Sequence, residues 1–219
     1  RAAGMDRTVA VLARFAQQAR ELGVMSLTLC ATAAMRRATN RQVLIDRVRD
    51  ELDLELRVIS EAEEAELGWV AATACLRGRG GAGDRPVVVV DVGGGSTEVV
   101  ANGGARLRSF PVGGIVLTER FGTGGSGGPG EGDWPGLLDC VQSEFAELAD
   151  WFPGQGRGSG GEQPLLIALG GTPCNLGCLE LGLASFDHEA AEGLVVPCAA
   201  ILPWGRRLAR LDLGQRIEL

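Results

Sequence analysis

The chain has 219 residues, a net charge of −7, 34 glycines and 45% hydrophobic residues. That length allows one large domain or two small ones around a substantial core, and the acidic balance excludes a nonspecific nucleic-acid binder with a broad basic face. No segment reaches the ~18 uninterrupted apolar residues of a membrane span and no signal peptide is visible, so a cytoplasmic protein with no membrane partner is expected.

Residues 6–22 place Val9, Leu12, Ala13, Ala16 and Ala19 at helical spacing, and Gly23 stops that helix. Residues 24–32 (VMSLTLCAT) read as a short buried strand. A second helix is predicted over 33–52, with Val43, Leu44, Val48 and Leu52 as its apolar stripe. Arg36, Arg37 and Arg41 on it form a local basic cluster that can oppose the global sign and meet an anion. Residues 54–60 predict a strand, and 61–76 a helix with an acidic first turn, favourable at the positive end of the helix dipole. This alternation belongs to an α/β layer. The glycine-rich, charged stretch 77–85 marks a boundary between a first subdomain over 1–76 and a second over 86–219.

Three strands are predicted next, over 86–92, 96–101 and 105–112, with Asn102-Gly103-Gly104 as a hairpin turn between the last two. A helix begins near Gly114 and carries Ile115, Leu117 and Phe121. Two glycine-rich loops without chemistry of their own, 122–133 and 153–164, bracket a helix at about 135–152. A buried strand at 165–169 then meets Gly170-Gly171-Thr172 and a helix, and the last segment is helical with Arg206, Arg207 and Arg210 on a polar face. The six cysteines form no CxxC pair and His188 is the sole histidine, which argues against structural zinc and for reduced core thiols.

Most of the chemistry is concentrated in VVVVDVGGGSTEVV, residues 87–100. The strand ends at Asp91; Gly93, Gly94 and Gly95 allow backbone amides to approach an anion closely, and Ser96 and Thr97 add hydroxyls. Asp91 and Glu98 would repel phosphate unless a divalent cation lies between, so the pattern points to a phosphate plus Mg²⁺. A plain glycine hairpin needs neither three glycines nor flanking acids. Neither a P-loop nor a dinucleotide fingerprint fits, because both feed a helix and this loop turns into a strand. The later Gly170-Gly171-Thr172 repeats the design of a glycine loop after an apolar strand.

The order of strand, glycine turn, strand, turn, strand and helix, followed by strand–GGT–helix, resembles the second half of the actin-like ATPase (ribonuclease H-like) fold. ATAAMRRATN (31–40), VISEAEEAEL (58–67), VVDVGGGSTEVV (89–100), FPVGGIVLTERF (110–121), ALGGTPCNL (168–176) and FDHEAAEG (186–193) together resemble the Ppx/GppA family of exopolyphosphatases and guanosine pentaphosphate phosphohydrolases. The resemblance implies two α/β subdomains around a cleft and Mg²⁺-dependent hydrolysis of a terminal phosphoanhydride in polyphosphate or guanosine pentaphosphate. It implies Glu64 as the residue that deprotonates the attacking water, and Asp91 and Glu98 as acids placing Mg²⁺. It further implies Gly93, Gly94, Gly95, Ser96 and Thr97 as the phosphoryl loop, Arg36 as the neutralising arginine, and Gly170, Gly171 and Thr172 as the second loop. A homodimer is also implied. Asn40 is expected one turn beyond Arg36 on the same helix.

The chain departs from the family pattern in three places, one being that it is expected to stop short of the family's further C-terminal helices. The family's opening strand–glycine–serine loop is missing, so the first subdomain is expected to be truncated at its N-terminus. Glu66 stands where the family has an arginine. Two other functions compete: an ATP-dependent kinase of the same superfamily, and a noncatalytic module that binds polyphosphate or nucleotides.

Overall fold

The computed structural model describes residues 2–78, 85–122, 133–151 and 164–219. Most of each of the three glycine-rich stretches lies outside those residues. The elements run α1 (Ala2–Glu21), β1 (Leu29–Ala31), α2 (Ala33–Arg37), α3 (Arg41–Leu52), β2 (Leu56–Val58), α4 (Glu61–Gly78), β3 (Val87–Val92), β4 (Thr97–Ala101), β5 (Arg106–Phe110), α5 (Gly114–Phe121), α6 (Trp134–Glu144), β6 (Leu165–Leu169), α7 (Gly171–Leu181), α8 (His188–Ala191), α9 (Cys198–Arg210) and α10 (Leu213–Ile217). No described helix is long and apolar enough to cross a membrane. The chain divides into two compact units, Arg1–Glu64 and Ala65–Leu219.

In the first unit β1 and β2 pair in parallel, with Leu29 opposite Leu56 and Ala31 opposite Val58. Val9 of α1 meets Leu44 and Val48 of α3, and Met5, Leu12 and Leu52 close around them. The stripe read from 33–52 does reach this core through Leu44 and Val48, but the predicted single helix is two. Ala38 is extended (φ −70°, ψ 121°) and ends α2, and Asn40 starts α3. Thr39 and Asn40 are poor interior residues, since their side chains compete for local backbone groups. Arg36 and Asn40 are therefore not on one helix. The strand expected at 24–32 shrinks to three residues, because Val24, Met25 and Leu27 stand exposed and have no strand partner among the described residues.

The second unit holds a four-stranded sheet in the order β5-β4-β3-β6. β3, β4 and β5 form the antiparallel meander that the turn signals predict, and β6 lies parallel to β3. Alternation sorts the valines. Val89 and Val100 face Ala65, Trp69 and Ala72 of α4, whereas Val88 and Val99 join Phe110 against Phe145, Leu148 and Trp151. Phe110 and Phe145 meet edge-on with centroids 4.7 Å apart. The helix predicted at 135–152 stops at Glu144 and continues as a tighter turn over Ala146–Trp151. The cysteines are less interior than expected. Among the described ones Cys178 is buried while Cys30 and Cys198 are exposed, Cys30 because it is the outward-facing middle residue of β1. His188 is exposed at the start of α8.

Candidate active site

Parallel pairing of β3 with β6 sets Asp91 opposite Leu169, so both glycine loops leave the sheet side by side at the carboxyl ends of neighbouring strands. Ligands in open α/β sheets gather at such ends. Gly170 has φ +96° and ψ 175°, a region open essentially only to glycine. A Cβ there would lie 2.9 Å from the Val92 carbonyl oxygen and 3.1 Å from Asp91 Oδ1. The second loop thus rests directly on the end of β3, beside the Asp91 carboxylate.

A cavity of about 690 Å³ opens at this junction. Asp91, Gly93 and Gly94 line it from the first loop, and Gly170, Gly171 and Thr172 from the second. Gly171 and Thr172 begin α7, whose first amides have no intrahelical acceptor, and Pro173 has no N–H to offer. The cavity therefore sits at the positive end of an eleven-residue helix, an arrangement that favours an anion. Six of the residues named from sequence are thereby brought together.

Four others do not line the cavity: Gly95, Ser96, Thr97 and Glu98. Ser96, Thr97 and Glu98 are buried. The Thr97 hydroxyl donates to the Val112 carbonyl at 2.6 Å, so it ties β4 to the segment before α5. Glu98 stands opposite Asp91 in the ladder and its Oε1 accepts from the Ser109 hydroxyl at 2.8 Å. The Gly93 amide donates to Ser96 O at 3.0 Å and closes the hairpin. Sequence reading missed the other wall, built from Gly114, Ile115, Thr118 and Glu119 of α5 and Asn175 of α7. Positions 115, 118 and 119 share one helix face, so their spacing carried the signal.

The described residues contain no group of three or more metal-ligating side chains. Mg²⁺ does not require one, since it keeps several waters and takes one or two carboxylates besides phosphate oxygens. Asp91, facing the cavity and backed by Glu98 across the ladder, fits that donor set.

Arg36 and Glu64 meet within the first unit. Arg36 Nη1 donates to Glu64 Oε2 at 2.7 Å and to Ile59 O at 3.1 Å. Both side chains are largely buried, with 16% and 18% exposure. This pairing singles Glu64 out from its acidic neighbours. Glu63 is engaged by Arg57 at 2.6 Å, and Glu61 approaches Arg36 Nε only to 3.9 Å. Ser60 caps the turn by accepting the Glu63 amide at 3.1 Å, which sets the start of α4 and with it the direction of these carboxylates. Arg36 Nε and Nη2 are buried without a hydrogen-bond partner among the described residues. Orphaned donors of that kind cost on the order of 1–3 kcal/mol each, and an anion would satisfy both.

Comparison with known proteins points the same way. The sequence profile of the Ppx/GppA phosphatase family matches residues 1–161. Exopolyphosphatase 2 of Mycobacterium tuberculosis is 29% identical over 209 residues, which cover 87% of this chain and 58% of that protein. A guanosine-5'-triphosphate,3'-diphosphate pyrophosphatase of Photobacterium profundum is 32% identical over 122 residues, covering 53% of this chain and 23% of that protein. Among solved structures, the Ppx/GppA enzyme of Aquifex aeolicus gives a TM-score of 0.71 at 26% identity, over 97% of this chain and 66% of that one. An exopolyphosphatase-like protein gives 0.83 at 25% identity, over 98% and 64%. The architecture is the α/β, actin-like ATPase type that the motifs imply. The chain spans less than two thirds of the length of each of these relatives.

Proposed function

This chain belongs to the Ppx/GppA phosphatase family, and from that premise we propose that it hydrolyses the terminal phosphoanhydride of inorganic polyphosphate or guanosine pentaphosphate, releasing orthophosphate. The observation that carries the reading is the cavity in which Asp91, the first glycine loop and the start of α7 converge. The amides of Gly94, Gly171 and Thr172 receive the oxygens of the terminal phosphoryl group, and their fixed orientation stabilises charge as the bond to the leaving phosphate breaks. Asp91, with Glu98 behind it, holds Mg²⁺, which when bound supplies neutralising charge on phosphoryl oxygens. Arg36 directs its two uncommitted nitrogens, Nε and Nη2, to phosphate while holding Glu64 in place, and Glu64 accepts the proton of the attacking water.

The names of the relatives support both substrates, which share one terminal group. Glu64→Gln retains the side chain's shape but not its basicity. Orthophosphate release from either substrate with Mg²⁺ is expected to fall by about 10²–10⁴-fold, with ligand affinity little changed. Undiminished release in that variant removes Glu64 from its role.

A further inference from the structure

The first turn of α5 has an unusual set of acceptors. Its starting residue, Gly113, offers no side-chain cap. The Gly114 amide donates to Gly93 O at 3.0 Å, and the amides of Ile115 and Val116 donate to Gly94 O at 2.8 and 3.3 Å. Helix amides that ordinarily go to a capping side chain or to water are thus spent on carbonyls of the first glycine loop. In a trans peptide the carbonyl and the following N–H point in opposite directions. Fixing the carbonyls of Gly93 and Gly94 against α5 therefore turns the amides of Gly94 and Gly95 away from it.

Gly113 makes this approach possible. Its own backbone is ordinary extended chain (φ −145°, ψ 165°), which any residue adopts. What it lacks is space. A Cβ at 113 would sit 2.5 Å from Gly94 O, 2.6 Å from Gly94 C and 2.7 Å from Gly95 N, all backbone atoms that cannot swing aside. At Gly114 a Cβ would meet nothing within 4 Å. Two adjacent glycines therefore face different demands.

We infer that Gly113 is a positioning residue: by letting the start of α5 dock on the first glycine loop, it sets the direction in which the Gly94 amide faces an anion. The inference rests on the phosphate-site reading above. Thr97 supports the same contact from behind, since its hydroxyl holds the Val112 carbonyl one residue before Gly113.

The test compares Gly113→Ala with two changes at the next position. Gly114→Ala keeps the amide and meets no protein atom within 4 Å. Gly114→Pro deletes the amide hydrogen, while proline suits the first residue of a helix that follows an extended residue. Tripolyphosphate titrated calorimetrically into the 219-residue chain is expected to bind about tenfold more weakly to Gly113→Ala and Gly114→Pro; Gly114 itself lines the cavity, so Gly114→Ala is read by its resonances alone. The amide resonances of Gly94 and Gly95 should shift in the first two variants without ligand, and stay in place in the third. If Gly113→Ala does not fold, Gly114→Pro decides alone. Unmoved resonances and parent-like affinity in Gly114→Pro overturn the inference. If the parent binds no tripolyphosphate but the resonances still move, the phosphate reading fails and the positioning role of α5 stands.

Discussion

The two glycine loops have the same sequence design and reach their geometry by different means. Each follows an apolar strand, and β3 and β6 are parallel neighbours. The second loop runs straight into α7, so the donors it offers are that helix's own first amides. The first loop turns back into β4 instead, and its peptide groups are oriented by the start of α5, some twenty residues further along the chain. One site is local and the other is assembled by tertiary contact. A change at the first loop can therefore act from a distance, whereas the second is vulnerable mainly at its own residues.

Gly170→Ala gives the largest expected effect on this contrast. The alanine must occupy a glycine-only conformation and push against the Val92 carbonyl, so destabilisation of about 3 kcal/mol or more is expected in denaturant unfolding. A loss below about 1 kcal/mol would mean that the two loops do not press on each other as described. Thr97→Val tests the remote control of the first loop. It leaves the buried Val112 carbonyl without its donor and should cost about 1–2 kcal/mol. It should also weaken anion binding, although Thr97 does not line the cavity. Unchanged affinity alongside lost stability would confine Thr97 to the fold.

The same contrast explains what could be read from sequence. The β3–loop–β4 hairpin and the strand–GGT–helix unit were legible because an apolar run, a glycine cluster and a change of periodicity are local signals. So was the convergence of Asp91 with both loops, through family motifs. The break at 38–40 was hidden, because the apolar stripe of Leu44, Val48 and Leu52 continues in phase on α3 whether or not α2 joins it. Thr97 was read as a phosphate donor on adjacency to the glycines, and only its tertiary partner, Val112 O, shows where the hydroxyl goes. Glu64 could be picked from four nearby acids by motif alone. In the structure, the Arg36 pairing separates it from Glu61 and Glu63. The docking of α5 left no local trace beyond a second pair of glycines, since neither glycine at 113–114 announces which one is crowded.

The most direct measurement follows the amides of both loops at once while tripolyphosphate is titrated into the chain. The account predicts that resonances of Gly94 and of Gly171 and Thr172 shift together along one binding isotherm, because a single phosphoryl end touches both. Shifts confined to one loop, or two isotherms of different affinity, would contradict it.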